Sequence, residues 1–221
     1  EKNFVSRDEI VLPETMKNLT DKEWEVLGFT RAQFENRWKA RIERDNFSPK
    51  IGSTAPDFEL ELLSHEGNRT SNLFKLSSLI GNPIGLIFGS YTWPPFREKA
   101  VRLIEISEEL KDQVEFCCVY IKEAHPLDGW VLPENTSEGI QVNSPKSADE
   151  RSKIAGQCML RYNFPFRMVL DNMTDEAEDK YRAAPDRLYV IGGDGNVAWK
   201  SGLGPFYFDV EAWYEALRNQ I

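Results

Sequence analysis

The segment at residues 88–96, which reads FGSYTWPPF, has the arrangement of residues most suited to chemistry in this chain. It follows an apolar run at residues 84–88 and precedes an apolar-periodic stretch that begins with two prolines, so we predict a buried strand, a turn and a helix. An anionic nucleophile at the start of a helix is stabilised by the helix dipole. The residue at that place is Trp93, whose indole does not ionise near neutral pH and is a poor nucleophile. The segment therefore predicts a scaffold for a thiolate or selenolate that carries a tryptophan at the reacting position.

A second group of candidate residues follows the next apolar run, at residues 114–121. Two parallel strands joined by a helix end at the same edge of a sheet, where the functional groups of such sheets gather. Glu123 and His125 are two residues apart beyond this strand, so in extended chain they point to one face and the carboxylate can orient the imidazole. Such a histidine suits proton transfer. The alternative is that His125 only fixes the loop by a hydrogen bond.

Three hydroxyl groups belong to the same predicted edge, those of Ser90, Thr92 and Tyr120. They can complete a hydrogen-bond relay with the acidic and imidazole groups. Ser90 and Thr92 can instead cap the following helix, as serine and threonine often do. Both interpretations are open at this point.

The residues before position 50 have a different pattern from the rest of the chain. Residues 20–46 are charged and aromatic, and Phe34, Trp38 and Ile42 recur every four residues, which predicts a helical arm. The arm either packs on the main domain or contacts a partner, such as a second copy in a homodimer. Pro49 ends this pattern, so we assign residues 1–50 to the arm and 51–221 to the main domain.

The main domain is expected to be α/β, with a mixed central sheet flanked by helices in a thioredoxin-like plan. Residues 58–62 alternate as a half-buried strand, and Ser147 with Glu150 forms an S-x-x-E capping box that starts a helix lasting to about Tyr162. The remaining predicted elements are strands at 168–170, 187–191 and 197–200 and a helix from residue 209 onward.

Composition excludes several classes of protein. The net charge of −9 and the pI near 4.9 are opposite to the basic surface that nucleic acid requires. No run of about eighteen apolar residues predicts a membrane span, although a leader or anchor before Glu1 stays open. The three cysteines lack C-x-x-C spacing, which disfavours a disulfide framework and a zinc site and favours a soluble, cytoplasmic location.

The segment 88–96 resembles a signature of the iodothyronine deiodinases, in which selenocysteine occupies the position of Trp93. Some members of that family have cysteine at the position of Tyr91. Residues 120–130, which read YIKEAHPLDGW, are similar to the family's second signature, and similarity continues at 187–191 and 202–205. The resemblance covers residues 51–221 in order and leaves the arm outside.

The resemblance implies a redoxin that removes iodine reductively from an iodothyronine or a related iodinated phenol. A thiol reductant would serve as co-substrate, with no bound cofactor and no metal. The implied catalytic positions are 93, His125, Glu123, Ser90, Thr92 and Tyr120, and the implied substrate contacts are Arg187, Tyr91, Trp130 and Pro165.

Two of these substrate contacts carry a further expectation. Arg187 would suit a substrate carboxylate, and its alternative is solvation at the surface. Pro165 precedes the strand predicted at 168–170, where thioredoxin folds commonly have a cis-proline beside the reaction centre, so it is the candidate for that bond. A second histidine that some relatives carry as a substrate clamp has no counterpart in residues 141–150.

Trp93 leaves two hypotheses about activity. Selenocysteine is encoded by UGA, which some genetic codes translate as tryptophan, so Trp93 can represent a selenocysteine codon read as tryptophan. If Trp93 is genuine, the usual chemistry is absent. The chain would then be a catalytically inactive binding module for aromatic ligands.

Overall fold

The computed structural model describes residues 12–221, so residues 1–11 of the predicted arm lie outside the described residues. The chain forms two compact units, one that ends at Ser48 and one that extends from Pro49 to Ile221. Each unit has its own buried residues.

Within residues 12–48 the first unit contains three helices, and two of them divide the stretch at 20–46 for which the sequence pattern predicts one helix. The break falls at Gly28, which has a φ of +76° that glycine adopts more readily than other residues. Thr20 and Thr30 each form a capping box, which explains why a new helix starts after each of them. Trp24 and Trp38 are buried in this unit. Its helices are α1 (Glu14–Lys17), α2 (Asp21–Val26) and α3 (Arg31–Asp45).

The second unit is built on a mixed sheet, as the sequence predicts, and this sheet has seven strands. The strands are β1 (Glu59–Leu63), β2 (Arg69–Lys75), β3 (Ile84–Gly89), β4 (Glu115–Tyr120), β5 (Arg167–Leu170), β6 (Arg187–Ile191) and β7 (Val197–Lys200). Their spatial order is β2-β1-β5-β4-β3-β6-β7. The strands β3, β4 and β5 are parallel, and β6 runs antiparallel to β3.

The central strands are apolar along their length because both faces of the sheet are covered. Every residue of β3 is buried, and two separate apolar clusters lie on the two sides of the sheet. The helices of this unit are α4 (Pro94–Leu110), α5 (Pro133–Ser137), α6 (Ala148–Tyr162), α7 (Glu176–Tyr181) and α8 (Val210–Arg218). The predicted strand, helix and parallel strand are therefore confirmed as β3, α4 and β4. None of the helices within residues 12–221 has the length and apolar character that crossing a bilayer needs.

The start of α6 agrees with the predicted capping signal in one half only. Ser147 Oγ accepts a hydrogen bond from the Glu150 backbone N–H at 3.2 Å. The Glu150 carboxylate accepts from the Lys146 N–H instead of the Ser147 N–H. The helix therefore begins where the sequence places it, with one side-chain cap.

The sequence pattern missed β2, α5 and α7 because none of them has a local apolar signal. The edge strand β2 is mostly exposed and shows no alternation. The start of α7 is held by Asp171, whose carboxylate accepts hydrogen bonds from the N–H groups of Ala177 and Glu178. Asp171 follows β5 and lies outside the helix, so the six residues of α7 by themselves do not predict the helix.

The turn between β1 and β2 packs directly on α6 through two glycines. Gly67 has a φ of +82°, and a Cβ built on it would lie 2.1 Å from the Cα of Gly156. Real Cβ atoms do not approach backbone this closely. The hairpin can therefore rest on the helix only because both positions lack a side chain.

We expect Gly67→Ala to destabilise the protein more than Gly52→Ala. Gly52 has a φ of +84° and no atom within 4 Å of a built Cβ, so both variants share a backbone strain of about 1–2 kcal/mol. Only Gly67→Ala adds the overpacking against Gly156, which costs about 1–3 kcal/mol more. Urea denaturation of both variants measures the difference in the free energy of unfolding. Equal losses would contradict the close approach of hairpin and helix.

Candidate active site

The two sequence-distant segments with candidate residues meet at one edge of the sheet. β3 ends at Gly89 and β4 at Tyr120, which are paired in the parallel register. The Ile121 N–H then donates to the Gly89 carbonyl at 3.1 Å, which extends the pairing beyond the strands. A Cβ at Gly89 would lie 2.4 Å from the ring of Phe96, so this glycine lets α4 pack close to the strand end. The predicted convergence is present.

The Glu123 carboxylate is the centre of a buried hydrogen-bond network. One of its oxygens, Oε2, accepts from the Thr92 backbone N–H at 2.9 Å and from the Thr92 hydroxyl at 2.7 Å. The other oxygen accepts from the Tyr120 hydroxyl. The Tyr120 oxygen in turn accepts from the Tyr91 N–H at 2.9 Å. Burial raises the pKa of Glu123 and, more strongly, the pKa of Tyr120, although the donors around Glu123 favour its charged form.

The imidazole of His125 is oriented by a backbone carbonyl. Its Nδ1 lies 2.8 Å from the carbonyl oxygen of Trp130. A carbonyl can only accept, so Nδ1 carries the hydrogen and Nε2 keeps a free lone pair when the ring is neutral. Burial is the largest influence on the pKa of His125 and lowers it, which favours that neutral form near pH 7.

The expectation that the Glu123 carboxylate orients this imidazole is therefore wrong. Glu123 bonds to Thr92 and Tyr120, and its link to His125 is indirect. The Thr92 hydroxyl oxygen accepts the His125 backbone N–H at 3.1 Å, so Thr92 joins the two residues. The assumption of extended geometry fails because the chain leaves the strand after Tyr120 and bends before His125.

Trp93 lies inside this arrangement and is only 9% exposed. Its indole stacks on the His125 ring, with 5.3 Å between centroids and 16° between planes. The indole Nε1–H donates to Asp186 Oδ2 at 2.6 Å. Trp130, which is half exposed, contacts the same imidazole edge-on with 4.5 Å between centroids. Position 93 and His125 are therefore in direct contact.

The hydroxyl groups at this edge have different roles. Thr92 and Tyr120 belong to the network around Glu123. Ser90 is buried, and its hydroxyl makes no hydrogen bond with any residue in the part of the chain that the structure describes. Trp93 is the N-cap of α4, which has no side-chain cap, so the capping alternative for Ser90 and Thr92 is wrong.

Two buried polar residues that support this site were missed by sequence reasoning because they bond to backbone carbonyls. The buried Asn135 donates from Nδ2 to the Thr92 carbonyl at 2.9 Å. The buried Arg97 donates to the Tyr91 carbonyl at 2.6 Å and pairs with Glu138 at 3.0 Å. Arg97 thereby lowers the pKa of Glu138. These contacts fix the backbone on both sides of Thr92, and no local motif marks them.

Two further residues predicted to contact substrate, Arg187 and Tyr91, are both buried. Arg187 starts β6 opposite Phe88 and is 1% exposed, so solvation at the surface is the wrong alternative for it. Tyr91 is buried in the loop before α4, and its hydroxyl accepts from Arg161 at 3.4 Å.

The prediction of a cis bond at Pro165 is wrong. Among the described residues, the cis X-Pro bonds precede Pro185 and Pro205. Pro165 comes before β5, at the amino ends of the parallel strands, whereas the site lies at their carboxyl ends. Pro185 leads into β6, whose antiparallel direction brings its start beside the end of β3. The cis-proline near the site therefore precedes the antiparallel strand β6 and not the parallel strand β5. Local sequence does not reveal the direction in which a strand runs.

The cysteines do not supply the missing nucleophile. Cys117, Cys118 and Cys158 are all buried and free. Burial raises the pKa of Cys117 to about 12 and also raises the pKa of Cys118 and Cys158. Within residues 12–221, no cluster of histidine, cysteine and acidic residues has the arrangement of a metal site.

The fold of the chain is thioredoxin-like. A thioredoxin domain of a thiol-disulfide oxidoreductase from Bacteroides vulgatus superposes with a TM-score of 0.54 at 14% identity, over 78% of this chain and 98% of that one. A reduced 2-Cys peroxiredoxin from Plasmodium vivax gives a TM-score of 0.51 at 14% identity, over 76% and 80% of the two chains. At this identity the similarity concerns the fold alone.

The sequence comparisons define the family. The family model for iodothyronine deiodinase matches residues 3–220, so the chain belongs to the iodothyronine deiodinase family, a family of oxidoreductases. The match includes the arm, which the motifs had left outside.

Individual relatives are type II iodothyronine deiodinases and a thyroxine 5-deiodinase. The type II enzyme of Bos taurus is 33% identical over 80% of this chain and 73% of its own length. Thyroxine 5-deiodinase of Aquarana catesbeiana is 36% identical over 72% and 56%. The match to the type II enzyme of Sus scrofa covers 51% of that protein, so the chain spans about half the length of some of these relatives.

We expect Thr92→Val to destabilise the fold and Ser90→Ala to have little effect. Valine keeps the shape of threonine but removes a donor to the buried Glu123 and the acceptor of the His125 N–H, at a cost of about 1–3 kcal/mol. Ser90 has no such partner, so its change is expected to stay within about 1 kcal/mol. Thermal or urea unfolding measures both. An equal effect of the two variants would argue against Thr92 as the joining residue.

We expect His125 to titrate below the ordinary histidine pKa of about 6.5. Because the folded state resists protonation, the unfolded state binds more protons as the pH falls from about 6.5 to the folded pKa, and stability is lost across that window. Ring-proton NMR of the protein, assigned with His125→Gln, measures the midpoint. The difference in stability between the two proteins should vary with pH in the same window. A midpoint at or above 6.5 would contradict a buried neutral imidazole.

Proposed function

We propose that this chain has the catalytic architecture of a deiodinase-type oxidoreductase for iodothyronines or related iodinated phenols. In this proposal, the reacting residue is a selenocysteine or cysteine at position 93, and a thiol reductant regenerates it. The observation that carries the proposal is the direct contact of residue 93 with a neutral, backbone-oriented His125 at the start of α4. Membership of the deiodinase family supports the substrate class.

The chemistry follows from the state of the imidazole. With Nδ1–H held by Trp130, Nε2 is free to accept the proton of a thiol or selenol at position 93. The resulting anion lies at the N-terminus of a 17-residue helix, whose dipole stabilises negative charge. Thr92, fixed by Glu123 and Asn135, keeps the adjacent backbone in place.

The proposed reaction balances in two steps. The anion at position 93 takes iodine from the ring as the carbon–iodine bond breaks, and the imidazolium of His125 returns its proton to the ring carbon. The product is a selenenyl or sulfenyl iodide at position 93 and a deiodinated phenol. Two thiols then reduce that iodide to the starting selenol or thiol, with release of a disulfide and hydrogen iodide.

A genuine tryptophan at position 93 supports a second candidate function, a binding module without turnover. The observation in its favour is the complete set of contacts around the indole, which is buried, stacked on His125 and hydrogen-bonded to Asp186. Sequencing the gene at codon 93 separates the two candidates. UGA with a selenocysteine insertion element supports the enzyme, and UGG supports the binding module.

We expect Trp93→Cys, or the chain with selenocysteine at 93, to release iodide from an iodinated phenol in a thiol-dependent manner. The chain with Trp93 should release none, since indole is not a nucleophile. Adding His125→Asn to Trp93→Cys should lower the rate about 100-fold through the lost proton transfer. Iodide is measured with a selective electrode.

Trp93→Ser is the matched control, because serine has the size of cysteine without its nucleophilicity. A folded Trp93→Cys protein that releases no iodide from several iodinated phenols would count against the enzyme. Quenching of Trp93 fluorescence by the same phenols, absent in Trp93→Phe, would then support the binding module.

A further inference from the structure

The indole of Trp93 occupies a slot with two defined walls. One wall is the face of the His125 imidazole, which is stacked at 5.3 Å. The other is the carboxylate of Asp186, which accepts the indole N–H at 2.6 Å. The slot therefore contains a planar aromatic ring that donates one hydrogen bond from its edge, and this ring belongs to the chain itself.

Asp186 is fixed in position by its surroundings. Its side chain is 1% exposed, and it directly precedes β6, whose register with β3 is continuous from Phe88 and Arg187 onward. A Cβ on Gly204 would lie 1.6 Å from Asp186 Oδ1, so the carboxylate fits only against a residue that lacks a side chain. The carboxylate is thus fixed by the fold and approaches position 93 from the residue before β6.

We propose that this slot is a recognition site for an aromatic ring that carries an uncharged N–H or O–H donor, with Asp186 as the acceptor. In this chain Trp93 fills the slot. With a small residue at position 93, the same space accepts a free ring of the indole or phenol class. The assignment of the phenol as substrate rests on the proposed function, and the phenolic O–H would donate to Asp186 during the reaction.

The chemistry of the carboxylate determines the selectivity. A carboxylate accepts hydrogen bonds and cannot donate them when ionised. A ring of the same shape without a donor would lose its hydrogen bond to this carboxylate, and a hydrogen bond to a charged group is stronger than one between neutral groups. We expect a preference of at least about tenfold in Kd for the ring with the donor, which corresponds to about 1.4 kcal/mol.

The test uses the full chain with Trp93→Gly and two probe ligands of matched shape. Indole carries the N–H donor, and benzothiophene lacks it. Calorimetry is expected to show indole binding at least about tenfold more tightly than benzothiophene. Adding Asp186→Leu should remove the preference, and adding Gly204→Ala should reduce it, because the new Cβ displaces the carboxylate. Equal binding of the two ligands, or no binding by a folded variant, would overturn the proposal.

A second measurement uses the chain with Trp93 in place. It tests Asp186 as the hydrogen-bond acceptor even if Trp93→Gly does not fold. In NMR spectra of protein labelled with ¹⁵N-tryptophan, Asp186→Leu should move the Trp93 Nε1–H resonance upfield. The Trp213 Nε1–H, which donates to the Tyr189 carbonyl at 2.9 Å, is the internal control and should not move. An unmoved Trp93 resonance would overturn the role of Asp186.

The result of this binding test can be distinguished from the result of the deiodination test, because indole binding needs neither a nucleophile nor iodine. Comparing 3-iodophenol with 3-iodoanisole in Trp93→Cys extends the test to the phenol. A donor preference for both pairs of ligands supports the slot and the phenol assignment. A preference in the indole pair alone supports the slot and overturns the phenol assignment.

Discussion

The buried carboxylate of Glu123 connects the two segments from which the site is made. An ionisable group in this position is costly to desolvate, and it is accommodated because the Thr92 N–H, the Thr92 hydroxyl and the Tyr120 hydroxyl all donate to it. Each donor belongs to a segment that follows or ends one of the two neighbouring parallel strands. The same bonds therefore satisfy the charge and fix the loop before α4 against the end of β4. The position of residue 93 depends on that loop.

His125 is adjacent to this network, but its ring does not bond to the Glu123 carboxylate. Its ring is held by the Trp130 carbonyl, and the connection to Glu123 passes through Thr92 and the His125 backbone. The imidazole keeps a depressed pKa, because burial outweighs the opposing effects of the Trp130 carbonyl and the charge of Glu134. The carboxylate therefore organises the backbone, while the imidazole is available for proton exchange.

Position 93 is enclosed by residues from three parts of the chain. The loop before α4 supplies the residue, the loop after β4 supplies His125, and the start of β6 supplies Asp186. The indole fits this enclosure through its flat face and its single donor. A site with one aromatic wall and one buried acceptor is chemically specific whichever residue the gene encodes there, so the fold and the recognition chemistry are independent of the nucleophile.

The sequence by itself determined the elements whose signals are local. The apolar runs of β3 and β4, the two prolines that open α4 and the bounds of β6 and β7 all follow from the sequence pattern. The motifs around 93 and 125 indicated the family that the family model confirms. Tertiary structure alone decided the partners of the side chains. Asp186 lies 93 residues from Trp93, and the choice of Trp130 over Glu123 as the partner of the imidazole depends on how the loop after β4 turns. Pro185 replaces Pro165 beside the site for the same reason. Strand order and direction bring distant residues together, and no pattern in a single segment encodes which strands become neighbours.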